Sequence, residues 1–507
     1  MYKKRDKNQL ELENFYLPFS GKLNKNNRWV LMAKQIPWEE LEENYANLFS
    51  ENKGAPAKSF RMALGALLIK QKLGLSDEET VEQIRENPYL QYFIGLSEYQ
   101  YEAPFDASML VYFRKRINSD MLEEINEIII KNALSNKKKE EESKEDKDND
   151  NNTSNSIKSE GGEDLKVKGG KQENKGILML DASVIPADIS YPTDLDLLNE
   201  SREKLERVID KLYENIEGKL KKPRTYRERA RKEYLSAVLN KKISRKSLKK
   251  AIKKQIQYIK RDLNHIESLL REGGKLSVLT RKEYRDLLVI NEIYRQQKYM
   301  YEKKTNKIEH RIVSIHQPYI RPMIRGKKSA KVEFGPKIIV SRIEGYHIIE
   351  KISWDNINEA KFLQEQIERY KLRTGYYPEA VLADQLFKTK ENVEYCKERH
   401  IRFTGKRLSR KKREEEIDKK IVKQDQSMRN AIEGFFGVIK RKYGLDRLMN
   451  KLKTTSETTI SLVVLLRNLE KLVNEFFSLL VNTILFSKFS LYFSKKCKNL
   501  NFSVNPI

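Results

Sequence analysis

Apolar residues recur at helical spacing through the first 135 positions. Leu64, Leu67 and Leu68 share one face of a helix that should end near Gly74. Ser76-Asp77-Glu78-Glu79 then has the form of a capping box, which opens a second helix through Val81 and Ile84 and stops at Asn87-Pro88. A helix, a glycine turn and a capped second helix match a helix-turn-helix, and a later helix from Ser108 carries Arg114, Lys115 and Arg116 in one turn. An ordinary helical bundle with a solvated basic face fits the same pattern. After position 175 the period shortens. Short apolar or alternating runs at 177–180, 332–340, 346–352 and 380–383, bounded by Gly and Pro, predict the strands of a mixed sheet. Glu344-Gly345 predicts a hairpin between the second and third, and a helix over 359–370 predicts a crossover to the last.

Two stretches interrupt this alternation. Between Ser135 and Asp164 the only large aliphatic residue is Ile157, too little to offset the entropy of ordering, so 136–174 is expected to be a disordered linker. Between the first and second strands, 196–308 reads as a long helical insertion. There Ile256, Ile259, Leu263, Ile266 and Leu270 repeat at spacings of 3 and 4, and Leu287, Ile290 and Tyr294 continue the pattern after Gly273-Gly274. Two helices folded back at the glycines would bury both seams.

Charge narrows the choice of partner. The 507 residues carry 100 Lys+Arg and 73 Asp+Glu, a net of +27, which points to a polyanion. From Lys219 to Lys254 sixteen Lys and Arg stand against two Glu, so about half of the excess sits in 36 residues of the insertion. Such a run repels itself unless phosphates neutralise it, which makes Arg224, Arg227, Arg229, Arg231 and Lys232 candidate phosphate contacts, with a solvated face as the plainer alternative. Two cysteines and five scattered histidines argue against a disulfide framework and a zinc cluster. The N-terminus has no apolar signal region, and the most apolar stretch, 460–486, is broken by Arg467, Glu470, Lys471 and Glu475. A cytoplasmic protein without a membrane span is the expectation.

Three carboxylates stand where chemistry could occur. Asp181 and Asp384 each close an apolar strand, at the rim where a crevice can form, though an Asp there can equally cap the next helix. Glu433 lies on a helix on which Arg429, Phe436 and Lys440 fall within about 60° of it at about 100° per residue. A surface ion-pair ladder is the simpler reading of Arg429 and Glu433. Asp188, Asp194 and Asp196 are reserve candidates for the first acidic position.

Asp181 in Leu-Asp-Ala-Ser, Asp384 in Ala-Asp-Gln-Leu-Phe and Arg429-x3-Glu433-x6-Lys440 resemble the acidic triad and Tyr-Arg-Glu-Lys signature of bacterial insertion-sequence DDE transposases. Separations of 203 and 49 residues put the three motifs in the family's order. The front of the chain, from Arg28-Trp-Val through Ala63-Leu-Gly-Ala-Leu and 87–96 to Phe105-Asp-Ala-Ser, is similar to the helical N-terminal domain of these enzymes. The resemblance spans 12–134 and 175–475, and Gln426 stands where the signature has Tyr.

This resemblance implies an α/β protein with a ribonuclease-H-like mixed-sheet catalytic domain, a helical N-terminal domain and a long helical insertion. The expected division is a DNA-binding domain over 1–135, the linker, a catalytic domain over 175–485 that includes the insertion, and a tail over 486–507. Asp181, Asp384 and Glu433 would hold two Mg²⁺ or Mn²⁺ ions, hard cations suited to carboxylate oxygen. Arg429 and Lys440 would contact phosphate beside the cut, with Arg114 and Arg116 as further contacts. The partners would be double-stranded DNA, as element ends and as target, and a second copy of the chain on DNA. A non-catalytic DNA-binding regulator or inactivated transposase is the competing reading, and a metal-dependent nuclease without strand transfer a third.

Overall fold

Local chemistry sets the helix ends in the first part of the chain. The computed structural model describes residues 15–17, 21–50, 54, 56–149, 174–216, 221–240, 242–324, 332–404 and 416–500. Helix α1 (Arg28–Gln35) starts where the Asn27 side chain accepts from the Trp29 N–H, and α2 (Trp38–Ala46) follows. Ser59 caps α3 (Phe60–Leu73), which ends at Gly74 in the left-handed conformation with φ 69°. Ser76 accepts from the Glu79 N–H to start α4 (Asp77–Glu86), and Asn87 caps α5 (Pro88–Phe93) with proline in its first turn. α6 (Met109–Arg116) and α7 (Ser119–Asn149) complete this part.

The helix pair α3–α4 has the order of a helix-turn-helix but not its charge. α4 carries Asp77, Glu78, Glu79, Glu82 and Glu86 against Arg85, a set that repels phosphate. α7 also corrects the expected linker, because residues 136–149 continue its helix. The sequence there pairs a run of Lys at 137–139 with a run of Glu at 140–142 and holds neither Gly nor Pro, so helix costs little. The rest of that linker, 150–173, lies outside the described residues.

The main sheet has strand order β5-β4-β1-β6-β7, from β1 (Ile177–Val184), β4 (Lys337–Ile343), β5 (Tyr346–Ser353), β6 (Ala380–Ala383) and β7 (Arg402–Phe403). β4 runs antiparallel to both β1 and β5, whereas β1–β6 and β6–β7 are parallel. The expected strand over 332–340 is split. β3 (Val332–Phe334) pairs with β2 (Pro322–Ile324) off the main sheet, and β4 begins only after Gly335-Pro336. Gly335 has φ 150°, and a Cβ there would lie 2.0 Å from the Ile185 carbonyl oxygen, so the chain can pass only with glycine. Glu344 and Gly345 form the hairpin turn with φ 49° and 85°. β7, of two residues, carries too little pattern to be foreseen.

Alternation along the strands assigns two cores. Leu178, Leu180, Val381 and Ala383 pack on one face against Leu363, Ile367 and Tyr370 of α12 (Leu363–Thr374) and Cys396 of α13 (Lys390–Glu398). Met179, Val340, Ala380 and Leu382 pack on the other face with α14 (Glu416–Arg441) and α15 (Lys453–Leu500). That second core is continuous with Trp29, Leu64 and Phe93 of the N-terminal helices, so the described residues before 135 share a core with the sheet. Gln71 donates to the Tyr443 carbonyl at 2.9 Å and Lys72 pairs with Glu470 across the same junction. α15 runs unbroken through 486–500, where a separate tail was expected, and 501–507 lie outside the described residues.

The insertion builds a third core from α8 (Asp194–Glu214), α9 (Arg227–Val238), α10 (Arg245–Arg271) and α11 (Arg281–Lys303). Ile256, Ile259 and Ile266 of α10 meet Leu205 and Ile209 of α8 and Ile290 and Ile293 of α11. α10 and α11 are joined through Gly273-Gly274 as the sequence implies, and Thr280 with Glu283 forms a reciprocal capping box at the start of α11.

Candidate active site

Register brings the two aspartates together. β1 and β6 are parallel with Leu180 opposite Ala383, so the next positions, Asp181 and Asp384, are neighbours across about 4.8 Å of strand spacing. The alternation that sends Met179 and Leu382 to one core puts both acids on that same face, the one α14 covers. β6 stops at Ala383, and Asp384 turns into a short 3₁₀ helix, its carboxylate accepting from the Gln385 N–H at 2.7 Å. Asp181 accepts from the Ala182 N–H at 2.8 Å. Burial pushes the Asp181 carboxyl up to about 6; the Ala182 N–H and Arg429 oppose the rise, and Asp384 and Glu433 add to it.

α14 carries the remaining groups to this rim. Its residues Ile432, Phe435, Phe436 and Ile439 are buried against the sheet, which fixes the helix rotation and leaves Arg429 and Glu433 at the edge. Arg429 donates to Glu433 at 3.3 Å, and its other terminal nitrogen lies 3.9 Å from the Asp384 carboxylate. Side-chain exposure is 21% for Arg429, 45% for Asp384 and 56% for Glu433, so one half-buried cation stands between two open acids. A ladder along one helix would not include the acid that follows β6.

Lys440 is placed differently from the expectation. Its ammonium donates to Ser183 Oγ at 2.9 Å and to the Val184 carbonyl at 2.7 Å, clamping α14 onto the last residues of β1. The stripe divides because α14 crosses the sheet: Arg429 and Glu433 reach the rim, Phe436 enters the core and Lys440 meets the far end of β1. Sequence reading also missed Asp425, fully buried one turn before Arg429 and paired with Arg402 of β7. Its spacing of four from Arg429 was the available signal. Gln426 is exposed.

The reserve acids are committed elsewhere. Asp188 pairs with Arg447 at 2.5 Å and Lys451 at 2.7 Å, Asp194 with Arg311 at 2.6 Å, and Asp196 accepts from Tyr234 at 2.8 Å. Among the described residues no group of three or more His, Cys, Asp or Glu side chains is gathered closely enough to hold a metal ion. Arg429 is the cation that pairs with Asp384 and Glu433 in this arrangement.

The basic candidates also sort by partner. Arg114 gives both terminal nitrogens to Asp77, at 2.8 and 2.7 Å, and so fastens α6 to the start of α4. Arg116 lies over the Phe49 ring at 4.6 Å. In the insertion Arg227 pairs with Asp210 at 2.7 Å and Arg229 more loosely with Glu233 at 3.4 Å, whereas Arg224, Arg231 and Lys232 are exposed. No described helix is long and apolar enough to cross a membrane.

Comparison with known proteins meets both parts of this architecture. Residues 18–116 match the family described as Transposase domain (DUF772), and residues 381–470 match the Transposase DDE domain. The second match begins within β6 and takes in Asp384, Arg429, Glu433 and Lys440. The chain is also similar to the uncharacterized protein ORF8 in the nfe locus of Rhizobium meliloti, at 39% identity over 112 residues. That alignment covers 22% of this chain and 54% of the relative, so the chain spans about half the length of the curated protein it matches. No solved structure matches. In its N-terminal helices, and from β6 through α14 and into α15, the chain is thus similar to transposase families.

Proposed function

We propose that this protein is a transposase that binds the ends of its insertion sequence, cleaves the DNA there and joins the freed 3′ ends to target DNA by metal-assisted phosphoryl transfer. The observation that carries the reading is that Asp181 and Asp384 each come one residue after the paired Leu180 and Ala383 of two adjacent parallel strands, with Glu433 and Arg429 on the helix that packs there. A five-stranded sheet with one antiparallel member, with one acid within its central strand β1 and another just past the neighbouring β6, supports a ribonuclease-H-like catalytic domain.

The residues fit divalent ions by donor chemistry. All three acids offer only oxygen, which suits Mg²⁺ or Mn²⁺, and burial together with the neighbouring Asp384 and Glu433 raises the Asp181 carboxyl, which a bound cation would reverse. Two such ions held by Asp181, Asp384 and Glu433 would supply a nucleophilic water at neutral pH and a neutralised leaving alkoxide. Asp181 is fixed by its strand and supplies the rigid corner of the site. Glu433, more than half exposed and held by an ion pair along its own helix, is free to turn toward the two aspartates. Arg429, half-buried between acids, is placed to exchange them for a phosphate oxygen of the bound strand.

DNA binding rests on other cations. Arg224, Arg231 and Lys232, exposed on the insertion, track the phosphate backbone, with Arg227 and Arg229 joining as their acidic partners let go. Arg114 belongs to the fold rather than to this surface. The protein acts in the cytoplasm as a homodimer on DNA, one copy for each element end. The test is an end-joining assay with Mg²⁺, a target plasmid and duplexes carrying the inverted repeats that bracket the reading frame. Joined 3′ ends are the expected product. Nicks without joining would make the protein a nuclease, and binding without nicks a regulator.

A further inference from the structure

On α14, the positions Ala431, Gly434, Phe435 and Val438 centre about 150° from Glu433 at about 100° per residue, on the side turned away from the acids. They form one wall of a cavity of about 520 Å³. The β4–β5 hairpin supplies Arg342, Gly345 and His347, and α15 supplies Arg467, Lys471 and Glu475. Three cations thus face one carboxylate.

Their hydrogen bonding is incomplete. Arg342 donates to the Met179 sulfur at 3.4 Å, a weak acceptor for a guanidinium with five donors. Burial holds its pKa below the ordinary value, with the Glu344 carboxylate opposing. Arg467 has a buried Nε without an acceptor among the described residues. Its terminal nitrogen lies 3.7 Å from Glu470, a carboxylate that Lys72, Lys442 and Tyr443 already hold. Lys471 pairs with Glu475, which also accepts from Tyr346 at 2.8 Å. His347, 6% exposed, stacks on Phe435 at 3.8 Å, and both its ring nitrogens are buried without a partner among the described residues. Burial keeps that ring neutral, and Arg342, Arg467 and Lys471 add to the effect against Asn468.

Two glycines keep the space open. A Cβ on Gly345 would come within 2.5 Å of Lys471 Cε, 3.3 Å of its ammonium and 3.6 Å of an Arg342 nitrogen, so the two cations converge over a residue without a side chain. A Cβ on Gly434 would meet nothing within 4 Å. Buried donors left without acceptors carry a desolvation cost that a multiply charged anion with several acceptor oxygens removes.

We propose that this cavity binds a phosphate group, gripped by Arg342, Arg467 and Lys471. Its volume admits a pyrophosphate-sized anion. The group can come from the DNA backbone or from a free phosphate compound, and either would rest against the back of the helix that carries Glu433. The proposal does not depend on the transposase reading, because its probe is not cleaved.

The test uses the full chain, inorganic pyrophosphate and a short duplex of arbitrary sequence. Calorimetry is expected to show pyrophosphate binding that weakens at least tenfold in Arg342→Gln and in Arg467→Gln, with melting temperatures near wild type. Arg467, partly exposed, serves should Arg342→Gln fail to fold. In histidine-labelled protein the imidazole signals of His347, identified among the five histidines by His347→Phe, should shift on adding pyrophosphate. A duplex that displaces pyrophosphate identifies the DNA backbone as the source, and one that leaves it bound identifies a free phosphate compound. Absence of pyrophosphate binding, or binding that both substitutions leave intact, overturns the proposal.

Discussion

Asp181 and Asp384 differ in surroundings although both end a run of apolar strand residues. Asp181 is enclosed and its carboxyl is raised to about 6, whereas Asp384 is open and ion-paired with Arg429. Asp181→Asn, Asp384→Asn and Glu433→Gln are each expected to lower DNA cleavage at least a hundredfold, about 2.7 kcal/mol, with duplex affinity retained in a gel-shift assay. Cleavage at the wild-type rate in any of them contradicts the assignment. Arg429→Ala should slow cleavage at least tenfold with little change in melting temperature, since its ion pairs with Glu433 and Asp384 are long and partly exposed. Lys440→Ala should instead destabilise the fold, by about 1.5–3 kcal/mol for hydrogen bonds from a charged donor, read as a lower midpoint in urea. An unchanged midpoint with lost DNA affinity would return Lys440 to the phosphate backbone. All of these residues stood out in the sequence, and so did the Arg429–Glu433 pair, but the partners of Asp384 and Lys440 did not. Ser183 and Val184 lie more than 250 positions from Lys440 and only register places them together.

At the scale of elements, helix periodicity and caps were legible because they are local, and so were the strands at 346–353 and 380–383, whereas β1 runs on to Val184 and Gly335-Pro336 divides the strand expected over 332–340. The division of α14 into a rim half and a clamped half was not, because the rotation of a helix on a sheet is decided by what it packs against. The insertion yields two predictions. Substituting Arg224, Arg231 and Lys232 together by Gln should reduce the slope of log affinity against log salt by about 0.9 per lost phosphate contact, for any duplex sequence. An unchanged slope makes the basic run a solvated face. Within the same helices Asp262 is fully buried, and neither carboxylate oxygen has a partner among the described residues. Burial and Glu206 raise its pKa to about 8 from 3.8, against Arg261, Arg202 and Arg227. Folding therefore retains a proton that the unfolded chain releases, so this group's contribution is intact below about pH 4 and is lost as pH rises toward 8. Asp262→Asn should melt less steeply with pH between 6 and 9 than the wild type. Identical pH profiles would mean that Asp262 is not protonated in the fold.

The molecule as a whole joins its N-terminal helices and its acid-bearing sheet through one core, with Trp29 and Leu64 in the same cluster as Met179, Phe435 and Leu466. The sequence suggested separate domains because the polar stretch after Ser135 looks like a boundary, yet α7 runs into it and packs beside α15 before leaving the described residues. Long-range packing of this kind leaves no periodic trace. One consequence is that the front of the chain supports α15 and, through Gln71 and Lys72, the residues that follow α14. The central claim is that Asp181, Asp384 and Glu433, far apart in sequence, form one divalent-ion centre. Iron-mediated backbone cleavage measures this directly: Fe²⁺ takes the place of Mg²⁺ and, with ascorbate, cuts the polypeptide beside its ligands. The account predicts cuts near positions 181, 384 and 433 together, suppressed by excess Mg²⁺ and all lost in Asp181→Asn. Cuts confined to other segments, or cuts at the three acids that persist unchanged in Asp181→Asn, would contradict it.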